Sequence, residues 1–194
     1  MKHNPEEVAI QEKKTLGFWI YLMTDCVLFA ALFATFIVLR NATDGGPGGA
    51  ELFDMPFVLV ETMILLTSSF TIGMALLGAA RGYKKQTIVW LFVTFFLGIA
   101  FLAMEIYEFQ HLIAEGNGPS RNAFLSVFFT LVGTHGLHIA VGLLWMIVVI
   151  VRLIQHNFKK TDLNRLALLG LFWHFLDIVW IFIFTIVYLI GGLA

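Results

Sequence analysis

The chain has 194 residues, 59% of them hydrophobic and 13% charged, with a net charge of −1 and a mean hydropathy of +0.88. Soluble domains hold about 45–50% apolar and about 25% charged residues, so this composition excludes an ordinary water-soluble globule and makes lipid the solvent. The near-neutral charge, with no basic patch, excludes a nucleic-acid partner. The single cysteine, Cys26, excludes an internal disulfide and any two-cysteine metal site.

Residues 1–15 are polar, with Lys2, Lys13 and Lys14 offset by Glu6, Glu7 and Glu12. They read as a short tail ahead of the membrane, and residues 16–194 as one transmembrane domain. A span needs about 20 mostly apolar residues. Five runs meet that length, at about 16–39, 56–80, 87–113, 124–152 and 166–191. The first is too long for a signal-peptide core and lacks a small-residue cleavage site, so it is read as a retained span. Each run must be helical, because an open sheet edge leaves backbone groups unsatisfied in lipid. The predicted fold is therefore all-α, a polytopic bundle of five transmembrane helices.

Gly- and Pro-containing loops punctuate the spans. Asp44-Gly45-Gly46-Pro47-Gly48-Gly49 follows the first span, and Asn117-Gly118-Pro119-Ser120 follows the third. The Gly-rich loop is no phosphate cradle, since no Gly-Lys-Ser/Thr follows it. Lys2, Lys13, Lys14, Arg81, Lys84, Lys85, Arg152, Lys159, Lys160 and Arg165 fall on one side of the membrane, and only Arg40 and Arg121 on the other. The positive-inside rule then predicts a cytoplasmic N-terminus and a periplasmic C-terminus. Trp19, Tyr83, Trp90 and Tyr188 sit near span ends, where interfacial aromatics belong. Cys26 is expected as a small buried hydrophobe. Ala30 with Ala34, and Gly133, Gly136 and Gly142, are expected to let helices approach closely.

The polar residues within these runs carry the information, because a charge at the bilayer centre costs roughly 2.5–3.5 kcal/mol on insertion scales. Residues three or four apart share a helix face. Glu105, Glu108 and His111 thus form a stripe on the third span, His135 and His138 a pair on the fourth, and His174 and Asp177 a pair on the fifth. Glu61 lies in the outer part of the second span. Asp25 lies about 14 Å into the first at 1.5 Å rise per residue. The imidazoles have two readings: haem or metal ligation, or hydrogen bonds between helices. Spacing favours the second, because a two-haem bundle wants four matched histidines and only three lie deep. Asp25 reads either as a proton relay or as a carboxyl bonded to a facing helix. The acids nearer the outer surface read as contacts between helices or subunits.

Two segments carry a resemblance. Gly133-Thr134-His135-Gly136-Leu137-His138 and Trp173-His174-Phe175-Leu176-Asp177-Ile178-Val179-Trp180 resemble the signature segments of subunit III of the haem-copper terminal oxidases. Met104-Glu105-Ile106-Tyr107-Glu108-Phe109 is similar to that family's Glu-x-Tyr-Glu segment, and the helix from Gly17 through Asp25 to its carboxylate-bearing helix. The likeness runs from residue 16 onward with the segments in order. Many members have seven spans, and this chain matches the last five. Gly46-Pro47-Gly48 through Phe57-Val58-Leu59-Val60-Glu61-Thr62 is most similar to the bacterial, quinol-oxidising cytochrome bo-type branch. At position 25 the family usually has glutamate; aspartate is one methylene shorter, which weakens any proton role carried over to it.

The resemblance implies a non-catalytic subunit of an oxygen-reducing, proton-pumping respiratory complex in the bacterial inner membrane. Haem and copper are then expected in partner subunit I, with no cofactor or metal in this chain. Subunits I, II and IV and membrane lipids are the expected partners. His135, His138, His174 and Asp177 are expected to knit the fourth and fifth spans together. Glu105 and Glu108 are expected to tie the third span to them or to the outer surface, with Asp25 toward the proton-uptake side. The alternatives are subunit III of a cytochrome c or menaquinol oxidase, a di-haem membrane anchor of a dehydrogenase, and an independent proton-coupled carrier. Internal repeats, which mark many carriers, are not evident.

Overall fold

A computed structural model describes residues 5–46, 48–155 and 160–192. Lys2 and Lys159 of the basic set lie outside the described residues. Six α-helices follow in order: α1 Pro5–Leu39, α2 Gly49–Leu52, α3 Met55–Ala80, α4 Lys84–Ala114, α5 Ala123–Gln155 and α6 Lys160–Ile183. A π-helix, Phe184–Ile190, continues α6. No strand occurs among the described residues, and α1, α3, α4, α5 and α6 are each long and apolar enough to cross a membrane. The protein is thus an all-helical multi-pass membrane protein.

Helical geometry starts at Pro5, well ahead of residue 16. Proline suits the first helical position. The tight α3–α4 turn follows from Gly82, whose φ of +79° places it in the left-handed region open to glycine. Tyr83 N–H then reaches back to the Gly78 carbonyl at 2.9 Å, the closure expected past a helix C-terminus. At the start of α5, Asn122 Oδ1 accepts from the Leu125 N–H at 2.8 Å, a side-chain cap.

The packing is a ring of four helices with a fifth outside it. α3 packs on α4, α4 on α5, α5 on α6 and α6 back on α3, while α1 lies against α5 and α6. The ends bearing Arg81, Lys84, Arg152 and Arg165 meet at one end of the bundle, where Arg152 pairs with Asp162 at 3.1 Å. This is called the basic end below. At the opposite end, α2 lies so close to Gly191 that Gly49 has no room for a Cβ. Phe53 folds over Tyr188, ring centroids 4.8 Å apart.

α1 uses one face only. Leu22, Asp25, Phe29 and Phe36 are buried, at spacings that keep them on one side of a helix. Cys26 is therefore exposed, not buried as expected from its place in an apolar run. Ala30 and Ala34 also face outward, so they bring no helix of this chain close. The glycines of α5 do: the Glu105 carboxyl occupies the space a side chain at Gly136 would need, and a Cβ at Gly142 would stand 3.2 Å from Phe172 and Trp173.

Candidate functional site

The fold directs the deep polar groups along three seams. The first joins α6 to α3. Trp173 Nε1–H donates to Ser68 Oγ at 2.9 Å, and Trp180 Nε1–H donates to Thr62 Oγ1 at 3.0 Å. Two indoles seven residues apart lie on one face, and the antiparallel α3 presents a hydroxyl to each. His174 Nδ1 meets Ser69 Oγ at 2.7 Å on the same seam, with Asp177 Oδ2 3.8 Å away. Asp177 is buried and neither of its carboxyl oxygens has a hydrogen-bond partner among the described residues. Between α3 and α4, Thr71 and Thr94 share a hydroxyl bond of 2.8 Å.

The second seam lies along α5. His135 is fully buried, and its Nε2 meets the Leu176 carbonyl of α6 at 3.2 Å. Its ring packs on Trp180 at 5.1 Å and on the edge of Phe101. His138 turns the other way. Its Nδ1 meets the Thr134 carbonyl at 2.7 Å, and its Nε2 lies 3.6 Å from Asp25 Oδ1 on α1. Residues 135 and 138 are offset by about 60° around a helix of 3.6 residues per turn, which is enough to aim them at different neighbours.

The third seam gathers acids near the end opposite the basic one. Glu61 of α3 is fully buried, Glu105 of α4 nearly so, and Glu108 accepts from the Tyr188 hydroxyl at 2.8 Å. The three carboxyls and Tyr188 are within electrostatic reach of one another. Phe101, Trp180 and His135 pack on one another, and Trp180 reaches Tyr188 at 6.2 Å. Phe53 and Phe128 also pack on Tyr188.

Three expectations change. His135, His138, His174 and Asp177 do not jointly knit the fourth and fifth spans: only His135 bonds α5 to α6, while His138 faces α1 and His174 and Asp177 face α3. The acidic stripe splits, because each three-residue step falls short of a full turn by about 60°. Glu105 is buried, whereas His111 is out on the surface beside Glu115 at 3.4 Å. Asp25 keeps to one of its two readings, a carboxyl set against a facing helix: it lies 3.6 Å from His138 across the α1–α5 contact. Tyr188 is no interfacial anchor: it is wholly buried, because the π-helix turns it inward to Glu108. Trp19 and Tyr83 are about half exposed.

Sequence reasoning did not assign Ser68, Ser69, Thr62, Trp173, Trp180 or Tyr188 a polar role. The seven-residue indole spacing was the one available signal. Among the described residues no group of three histidine, cysteine or acidic side chains is placed to hold a metal ion.

The model of the family described as cytochrome c oxidase subunit III matches residues 2–192. Cytochrome bo(3) ubiquinol oxidase subunit 3 of Pseudomonas aeruginosa is 61% identical over 177 residues, covering 91% of this chain and 85% of that protein. The protein of the same description from Buchnera aphidicola is 44% identical over 185 residues, covering 95% of each. Cytochrome c oxidase subunit 3 of Bacillus sp. PS3 is 45% identical over 189 residues, covering 96% of this chain and 91% of that one.

Proposed function

This chain belongs to the cytochrome c oxidase subunit III family, and we propose that it is the non-catalytic third subunit of a haem-copper quinol oxidase in a bacterial inner membrane. The quinol reading rests on the higher identity to the Pseudomonas ubiquinol oxidase subunit than to the Bacillus cytochrome c oxidase subunit. Subunit I of the complex carries the haems, the copper and oxygen reduction; subunits II and IV and lipids complete the surroundings. The N-terminus is cytoplasmic, with the basic end of the bundle inside.

One observation carries the non-catalytic role: the deep histidines point at three different helices of their own chain. His135 meets α6, His138 meets α1 and His174 meets α3. Imidazoles that clamp one haem must face each other across a common gap. These instead satisfy one another's helices, as polar side chains between membrane helices commonly do. The chain's contribution is then a rigid flank for subunit I, with Asp25 and His138 nearest the proton-uptake side.

The test is removal of this chain from the cells that make it. Membranes lacking it should retain haem on the catalytic subunit but lose quinol oxidase activity faster on detergent extraction, and re-expression of the chain should restore durability. Unchanged assembly, activity and heat resistance without it would overturn the reading.

A further inference from the structure

Glu61 is wholly buried, and neither of its carboxyl oxygens meets a hydrogen-bond partner among the described residues. Glu105 is 2% exposed, and its Oε2 is likewise without a partner. The two come from adjacent helices, α3 and α4. A buried polar group without a hydrogen bond costs several kcal/mol in an apolar medium, so two such carboxyls within electrostatic reach of each other call for a donor. Lysine and arginine do not supply it: those with described side chains sit at the ends of the bundle. The Tyr188 hydroxyl is already committed to Glu108 at 2.8 Å.

The surroundings are built rather than accidental. Gly136 leaves the space that the Glu105 carboxyl occupies. The π-helix Phe184–Ile190 carries Tyr188, whose hydroxyl reaches Glu108, and π-helical turns often occur at functional sites. Phe101 and Trp180 meet edge to face at 4.7 Å, and both Trp180, at 6.2 Å, and Phe53, at 4.8 Å, pack on Tyr188.

We propose that Glu61 and Glu105 form an internal water site in which ordered water bridges the carboxyls of α3 and α4. Water is the ligand class that fits: it donates two hydrogen bonds, needs two to four polar partners and is the usual bridge between otherwise unsatisfied buried groups. The site lies within this chain and is separate from the Asp25–His138 contact.

The experiment is X-ray hydroxyl-radical footprinting of the intact purified complex, with modification read residue by residue by mass spectrometry. Radicals made from bound water label the side chains beside it. Trp180, Tyr188 and Phe101 should be labelled at short exposure despite their burial, while Met146, equally buried but about 15 Å along α5 from Gly136 at 1.5 Å rise per residue, should not. In Glu61→Leu that labelling should fall severalfold. If Glu61→Leu does not assemble, a density map of the wild-type complex fine enough to show waters decides: density bridging Glu61 and Glu105 is expected. No labelling of Trp180 and Tyr188 at exposures that label Tyr83, labelling unchanged by Glu61→Leu, or a map with the carboxyls in direct contact or holding a metal ion would overturn the proposal.

Discussion

α1 and α6 are similar in apolar length and hydropathy, yet they occupy opposite places in the bundle. α6 buries Leu166, Leu169, Phe172, Trp173, Leu176, Trp180 and Ile183, whereas α1 leaves Leu16, Ile20, Met23, Val27 and Val38 exposed. Hydropathy therefore identifies a span but not its neighbours. Placement comes from the polar groups: α6 carries two indoles, an imidazole and a buried carboxyl toward α3, while α1 carries Asp25 toward His138. In lipid the apolar faces gain little by meeting one another, and packing with hydrogen bonds decides which helix lies inside.

The comparison breaks most readily at Trp180. Trp180→Ala removes a buried indole that bonds Thr62 and packs on Phe101 and His135. Thermal unfolding in detergent should register a loss of about 3–5 kcal/mol. Trp19→Ala on α1, where the indole is half exposed, should cost much less. Equal losses would mean that α6 is not the strut.

Gly98 gives the next largest effect. A Cβ there would stand 2.8 Å from Trp173 and 2.9 Å from Leu143, so Gly98→Val should destabilise by about 1–3 kcal/mol through overpacking. The same change at Gly73, where nothing lies within 4 Å of a Cβ, should not; circular dichroism melts of the two variants separate the cases.

The indole ladder can be sharpened with a double-mutant cycle. Trp173→Phe with Ser68→Ala should yield a coupling of about 0.6 kcal/mol and at most about 1.7 kcal/mol, the range for hydrogen bonds between membrane helices. A coupling of zero would remove the ladder as a cause of the α3–α6 contact. At the small end, Val27→Ala on the exposed face of α1 should shift stability by no more than about 0.5 kcal/mol. A larger loss in the intact complex than in the isolated chain would mark that face as covered by a partner.

Much of the fold was legible because lipid imposes few choices. Long apolar runs must be helices, and Asn117-Gly118-Pro119-Ser120 parts α4 from α5 as a Gly- and Pro-containing loop should. The π-helix was not legible: Phe184–Ile190 reads as ordinary apolar helix, and only tertiary packing against α2 and α3 turns Tyr188 inward. The deep acids and imidazoles were identifiable as residues that must have partners, but the partners were not. Asp25 and His138 are far apart in sequence, and no local pattern announces their contact. His135 and His138 sit one turn apart, yet spacing alone does not say which neighbour occupies each direction.

The most direct measurement is purification through a tag on this chain in mild detergent, followed by a reduced-minus-oxidised visible spectrum before and after the polypeptides are separated. The expected result is a haem spectrum that accompanies a larger many-span polypeptide and leaves with it, so that the chain alone is colourless. A haem signal retained by the separated chain, near one per polypeptide, would contradict the placement of its histidines as links between helices.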